Sequence, residues 1–208
     1  WSQLLTIFGL LITVGIAFFG FRSFERWRKE TIEGKRIDLA IEALALAYES
    51  KYVFETIRSP MSYPAESKDM PKRDGETESE RARREPYFAI LARIQLHKDF
   101  FERLFKLQSR FMALFGERAE DIFLNAHQAR RYIEVSASML MTRAAQRTSD
   151  ATEDQQRQYQ QWEADIWAGM DEIADNLSQA RRVSEKILAF QKGIIEICEP
   201  VAVRSRRD

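Results

Sequence analysis

The sequence predicts an all-α protein: an N-terminal transmembrane helix that continues into a cytoplasmic antiparallel bundle of four to five helices. Three observations predict it. Residues 4–21 carry no ionisable side chain, and a basic stretch follows at once. Downstream, apolar residues recur at steps of three and four, the period of an amphipathic helix, and no alternating strand pattern occurs. Only eight Gly and five Pro punctuate 208 residues, too few turn residues for a β-rich chain.

Residues 1–21 are expected to form the transmembrane helix. Twenty-one helical residues span roughly 31 Å, the depth of a bilayer's hydrocarbon core. A secretory signal would carry its basic residues before the apolar run and a small-residue cleavage site after it. Here Arg22, Arg26, Arg28 and Lys29 follow the run, and Phe18-Phe19-Gly20-Phe21 offers no such site. Six Lys/Arg in residues 22–36 place the body on the cytoplasmic side of an inner membrane by the positive-inside rule. The chain opens on Trp1 rather than Met, so the expectation allows for a short piece upstream.

Small residues mark one side of this helix. Ser2, Thr6, Gly9, Thr13, Ala17 and Gly20 fall within an arc of roughly 80° at about 100° per residue. Such a stripe lets helix backbones approach closely in lipid and lets hydroxyls bond across the contact. The plain alternative is that small residues are common in membrane helices, and Gly15 lies off the stripe. The headgroup contacts are expected from Arg22, Arg26, Arg28 and Lys29, each adding about 1 kcal/mol of attraction to anionic lipid.

Residues 22–58 read as a juxtamembrane segment and first bundle helix. Ile37, Ile41, Leu44, Tyr48 and Tyr52 keep the helical period, and Pro60 ends it by disfavouring helix at Ser59. Residues 59–80, with Pro60, Pro64, Pro71 and Gly75, read as a polar loop. It is either a disordered excursion or a lid or partner-binding segment.

Residues 81–199 supply the rest of the bundle. One helix is expected from Thr77–Glu85 to Phe115, stopped by Gly116. Another runs from about Glu117 to Arg147, followed by a turn at residues 148–152. Thr152 with Gln155 forms a capping box for a helix through Tyr159, Trp162 and Ile166 to Gly169. The last runs from about Asp171 to Cys198 and stops at Pro200. Residues 200–208 are a basic tail with Arg204, Arg206 and Arg207, either solvated or touching lipid or nucleic acid.

Thirty-two basic and 32 acidic residues balance, so global charge does not steer toward nucleic acid. The single Cys198 excludes a disulfide framework and a Cys-based zinc site. No glycine-rich phosphate loop, nucleophile elbow or His-Glu-x-x-His occurs, and Ile94 and Leu124 stand where a di-iron bundle would need Glu before His97 and His127. No metal or cofactor is therefore expected. His127 shares a helix face with Arg130, Arg131 and Glu134. This set is the candidate catalytic cluster, with His as acid or base and Arg as phosphate clamp; the bland reading is a solvated face of ion pairs, as for Arg93 with His97. Glu163, Asp165, Asp171, Glu172 and Asp175 form no defined constellation, and Trp162 and Trp167 read as core anchors.

The segments Leu39-Ala-Ile-Glu-Ala-Leu-Ala-Leu-Ala-Tyr-Glu-Ser-Lys-Tyr, Ile57-Arg-Ser-Pro, Arg110-Phe-Met-Ala-Leu-Phe-Gly, Trp162-Glu-Ala-Asp-Ile-Trp and Ile197-Cys-Glu-Pro resemble a family of single-pass bacterial membrane proteins with a cytoplasmic helical domain and no assigned activity. That resemblance implies architecture and no mechanism. At fold level the chain is similar to the membrane-anchored HEPN-like accessory proteins of type VI CRISPR systems, which assemble into rings around a pore. The ribonuclease motif of their relatives, Arg and His separated by four to six residues, is absent: Arg93 and His97 have three between them, Arg118 and His127 eight.

The expected function is a non-catalytic, membrane-anchored assembly protein, scaffold or pore, that forms a homo-oligomer through its transmembrane and bundle helices in the lipid bilayer. One alternative is a membrane-tethered effector acting on RNA or nucleotides in bacterial defence, though nucleic acid is not the expected partner. The other is an adaptor recruiting a protein partner through residues 59–80.

Overall fold

A computed structural model describes residues 2–117, 119–144, 152–170 and 179–204, with the side chains of residues 2, 4–8, 11, 12 and 204 outside that description. Among the described residues the chain is all-α, with six helices and no strand: α1 (Ser2–Ile57), α2 (Glu78–Leu96), α3 (Lys98–Phe115), α4 (Ala119–Arg143), α5 (Glu153–Ile166) and α6 (Arg182–Arg204). A 3₁₀ turn at Pro64–Glu66 lies between α1 and α2.

Helix α1 has 56 residues, a length of about 84 Å. Only its last third enters the bundle, burying Leu39, Ala40, Ala43, Leu46, Ala47, Val53, Phe54 and Ile57. Its first 34 residues or so rise out of the bundle by about 50 Å with Phe18, Phe19, Phe24 and Trp27 exposed. Where α1 emerges, the Arg36 guanidinium lies 5.2 Å over the Phe115 ring at the end of α3. Among the described residues no helix is long and apolar enough to cross a membrane. Seven residues of the apolar run, 4–8, 11 and 12, have side chains outside the description.

Helix α4 is the centre of the bundle, packed by α2, α3, α5 and α6. Its alanines at 119, 126, 129 and 137, all fully buried, let those neighbours approach. Larger side chains fill the gaps. Phe111 stacks on Phe115 at 4.3 Å and meets Phe123 edge-on at 5.4 Å, and Phe123 meets Phe190 of α6 at 5.9 Å. Helix α6 comes close to α4 at Gly193, where a Cβ would stand 2.8 Å from Cγ1 of Ile122. Replacing Gly193 with leucine forces α4 and α6 apart and should cost about 2–3 kcal/mol in thermal unfolding of the full-length protein. An unchanged midpoint would show that the two helices separate freely.

Two expectations need correction. The helix expected to run unbroken to Phe115 is two, joined at His97 (φ −93°, ψ 17°). No Gly or Pro marks this break; packing makes it, because the change of direction turns both Phe100 and Phe101 into the core. Pro200 does not stop the last helix, which runs through it to Arg204. Ile197 and Val201 pack against the core on either side and hold the helix past the missing amide, so the tail expected from 200 is helical in its first residues. The expected start at Asp171 and the turn at 148–151 lie outside the described residues.

The polar loop expected at 59–80 connects α1 to α2, its last three residues opening α2. Three arginines of α2 hold it. The buried Arg93 donates from Nη1 to the Ser59 carbonyl at 2.7 Å, from Nη2 to the Met61 carbonyl, and from Nε and Nη2 to the Glu66 carboxylate at 2.7 and 2.8 Å. Arg84 bonds Glu76, and Arg81 donates to the Met70 carbonyl at 3.3 Å. Met70 is buried beneath. Thr77 and Glu80 then cap α2 reciprocally, as a capping box does.

Candidate functional site

The projecting part of α1 is the first candidate. Gly9, Thr13, Ala17 and Gly20 are exposed, and no other part of the described chain lies within 4 Å of a Cβ built at Gly9 or Gly20. Thr13 Oγ1 donates to the Gly9 carbonyl at 2.9 Å, which satisfies the hydroxyl within its own helix. The Thr6 side chain lies outside the described residues. The basic collar follows on the same rod. Arg26 pairs with Glu30 at 2.9 Å, and Arg22, Arg28 and Lys29 are exposed. The contacts along this rod, Thr13 with Gly9, Arg26 with Glu30 and Thr31 with Trp27, lie within α1, and Arg36 over Phe115 reaches α3.

The second candidate is the His127 cluster on α4. His127 Nε2 is 2.9 Å from Gln108 Oε1 of α3, and in the tautomer with hydrogen on Nε2 it donates there. Burial, with Arg130 nearby, pushes its pKa below the ordinary histidine value, so the ring is neutral at pH 7. The Arg130 guanidinium lies 4.6 Å over the Phe101 ring, its Nε 3.8 Å from Glu134. Both residues lean on α3 and line a shallow open groove of about 370 Å³ with Lys98, Phe105 and Lys106. Arg131 is exposed and is not among the groove's lining. No serine, threonine or cysteine lines it either, so the groove offers no hydroxyl or thiol nucleophile beside the histidine.

His97 sits at the α2–α3 break, its Nε2 enclosed and without a hydrogen-bond partner among the described residues. Arg93 is committed to the 59–66 segment and does not act with it. Among the described residues no three His, Cys, Asp or Glu side chains are placed to hold a metal. Cys198 is fully buried, and burial pushes its thiol up to about 12, which leaves it unreactive.

Two polar constellations escape a reading by motif. Asp165 of α5 is fully buried. Arg182 of α6 meets it with both arms of its guanidinium, Nε to Oδ1 at 2.8 Å and Nη2 to Oδ2 at 2.6 Å. Ser136 of α4 donates to Oδ2 at 2.6 Å and Gln161 to Oδ1 at 3.2 Å. The same guanidinium lies 4.4 Å over the Tyr132 ring, and the Asp165 hydrogen bonds raise its already high pKa. This is a closed structural network with its lone pairs filled, not a reacting carboxylate. Asp171, Glu172 and Asp175 lie outside the described residues; Trp162 and Trp167 both join the core.

Arg58 is the other constellation. It donates to Ser184 Oγ at 2.8 Å and to the carbonyls of Ala164 at 2.9 Å and Trp167 at 3.1 Å. Its own carbonyl accepts from the Ala168 amide at 2.8 Å. A guanidinium at the end of α5 meets the negative end of that helix. Beside it opens a cleft of about 600 Å³, walled by Lys51, Glu55, Arg181, Glu185 and Gln191. Its lining mixes the cations Lys51, Arg58 and Arg181 with the carboxylates Glu55 and Glu185.

No protein-family model, curated protein or solved structure matches this chain. Function is left to the molecule's own geometry.

Proposed function

We propose that the chain is a single-pass membrane protein that self-associates through α1 and acts as an assembly scaffold, with its helical bundle on the cytoplasmic side. One observation carries this: a 56-residue helix of which well over half stands clear of the rest of the chain among the described residues. In its outer part that helix combines an unbroken apolar run, a small-residue face and a basic collar. A free-standing apolar rod is not stable in water. Lipid accounts for residues 4–21, the headgroup region for Arg22, Arg26, Arg28 and Lys29, and a second helix for the small face. The bundle behind it pairs its buried Asp165 with Arg182 and its buried Arg93 with Glu66 within the chain, as a structural body does.

The test has two arms. The full-length protein should stay with membranes through alkaline extraction. After detergent solubilisation, Gly9→Leu combined with Ala17→Leu should shift its mass toward the monomer. Release into the alkaline supernatant removes the anchor, and an oligomer unaffected by both substitutions removes the stripe.

A further inference from the structure

Helix α1 is apolar on two sides where it crosses the bundle. One side sends Leu39, Ala43, Leu46 and Phe54 into the chain's own core. The other leaves Ile41, Tyr48 and Tyr52 between 54% and 68% exposed, with Ala45 exposed between them. A second apolar stripe on a helix that already buries one is ordinarily covered by another element.

The exposed side has a register. Gly20, Phe24, Trp27, Thr31, Gly34, Asp38, Ile41, Ala45, Tyr48 and Tyr52 follow one another at strictly alternating steps of four and three. That is an unbroken heptad seam. It starts on the last residue of the small stripe, passes down the rod through Phe24 and Trp27, each more than half exposed, and ends on the bundle. Flanking it, Glu30 and Lys35 stand five residues apart at the two positions that meet across a parallel two-stranded coil.

We infer that a second copy of this chain covers this face, α1 against α1, parallel and in register, as one coiled coil from the membrane stripe to Tyr52. The inference rests on the self-association proposed above and adds its orientation and its seam. A common membrane forces both helices to run the same way. In that arrangement Glu30 of one copy meets the partner's Lys35, and symmetry repeats the pair. Burying the exposed parts of Phe24, Trp27, Ile41, Tyr48 and Tyr52 removes on the order of 500 Å² per copy from water, most of the roughly 800 Å² per partner found in stable interfaces. Asp38 is the one charged residue in the seam. A polar side chain at a coiled-coil core position fixes register at a cost in stability.

Two measurements on the full-length protein test it. Single cysteines at Ile41 and Tyr48 should link copy to copy with a short bismaleimide in membranes, whereas Glu33→Cys, on the far side of the helix, should not. The buried Cys198 gives no competing reaction. Asp38→Ile should tighten the dimer at least tenfold. If the solubilised protein is oligomeric but Ile41→Cys and Tyr48→Cys stay unlinked and Asp38→Ile changes nothing, the seam is wrong and self-association stands. A wild type that is monomeric in detergent overturns both.

Discussion

Replacing Arg182 with methionine should lower the folding free energy by about 3–5 kcal/mol, the largest single effect expected in this protein. The substitution leaves Asp165, which has no contact with water, without its bidentate partner. Ser136 and Gln161 still donate to it, but neither carries charge. An uncompensated carboxylate in the interior is far more costly than the pair is stabilising. The double variant Asp165→Leu with Arg182→Met should therefore recover much of the loss, because it leaves no orphaned charge behind. Thermal unfolding of the four proteins in the cycle, wild type, two singles and the double, separates these terms. A single variant costing under about 1 kcal/mol would mean that the carboxylate finds water or a proton without strain.

Arg93→Met should free residues 59–80 from the bundle. Arg93 ties the carbonyls of Ser59 and Met61 and the Glu66 carboxylate to α2, and hydrogen bonds to charged groups are worth about 1.5–3 kcal/mol each. Trypsin should then cleave at Lys68, Lys72 and Arg73 at least ten times faster than in the wild type, while the helical signal of the bundle persists. Arg93→Lys should resemble the methionine variant, since an ammonium lacks the planar fork that reaches carbonyl and carboxylate together. Acid should have the same effect. The Arg93 hydrogen bond holds the Glu66 carboxyl below its ordinary value of 4.5, so its contribution is complete above that value and is lost as pH falls through the lower, folded one. Cleavage that is equally slow in the variant and in the wild type would show that the segment is held by Met70 and its neighbours instead.

The parts of this architecture with a local signature were legible in the sequence. The apolar run, the helical period through Tyr52 and the proline beyond it define α1 to within a residue, and Thr152 with Gln155 caps α5 as its spacing implies. The parts that escaped are made by contacts with no period. Arg58 and Ser184 are 126 residues apart, and Asp165 and Arg182 lie on different helices. Nothing in Arg-Ser-Pro or Trp-Glu-Ala-Asp announces either bond. His97 breaks a helix without Gly or Pro because tertiary packing prefers both phenylalanines inside. Pro200 fails to break one because the flanking core contacts outweigh its local cost. The 59–80 segment reads as a plain loop by composition, yet the arginines that build it are in the helix that follows. For the candidate site, the small stripe and collar are spacings visible in the sequence, and their roles in helix packing and headgroup contact belong to the proposal. The seam below them shows only once burial distinguishes the inward apolar face of α1 from the outward one.

On the proposed function, α1 is an assembly element shared between copies. Light scattering of the full-length protein in mild detergent, corrected for bound detergent, tests it most directly. The expected protein mass is at least twice the 24.4 kDa chain, falling toward that value in the Gly9→Leu, Ala17→Leu variant. A wild-type mass of one chain at every concentration would contradict it.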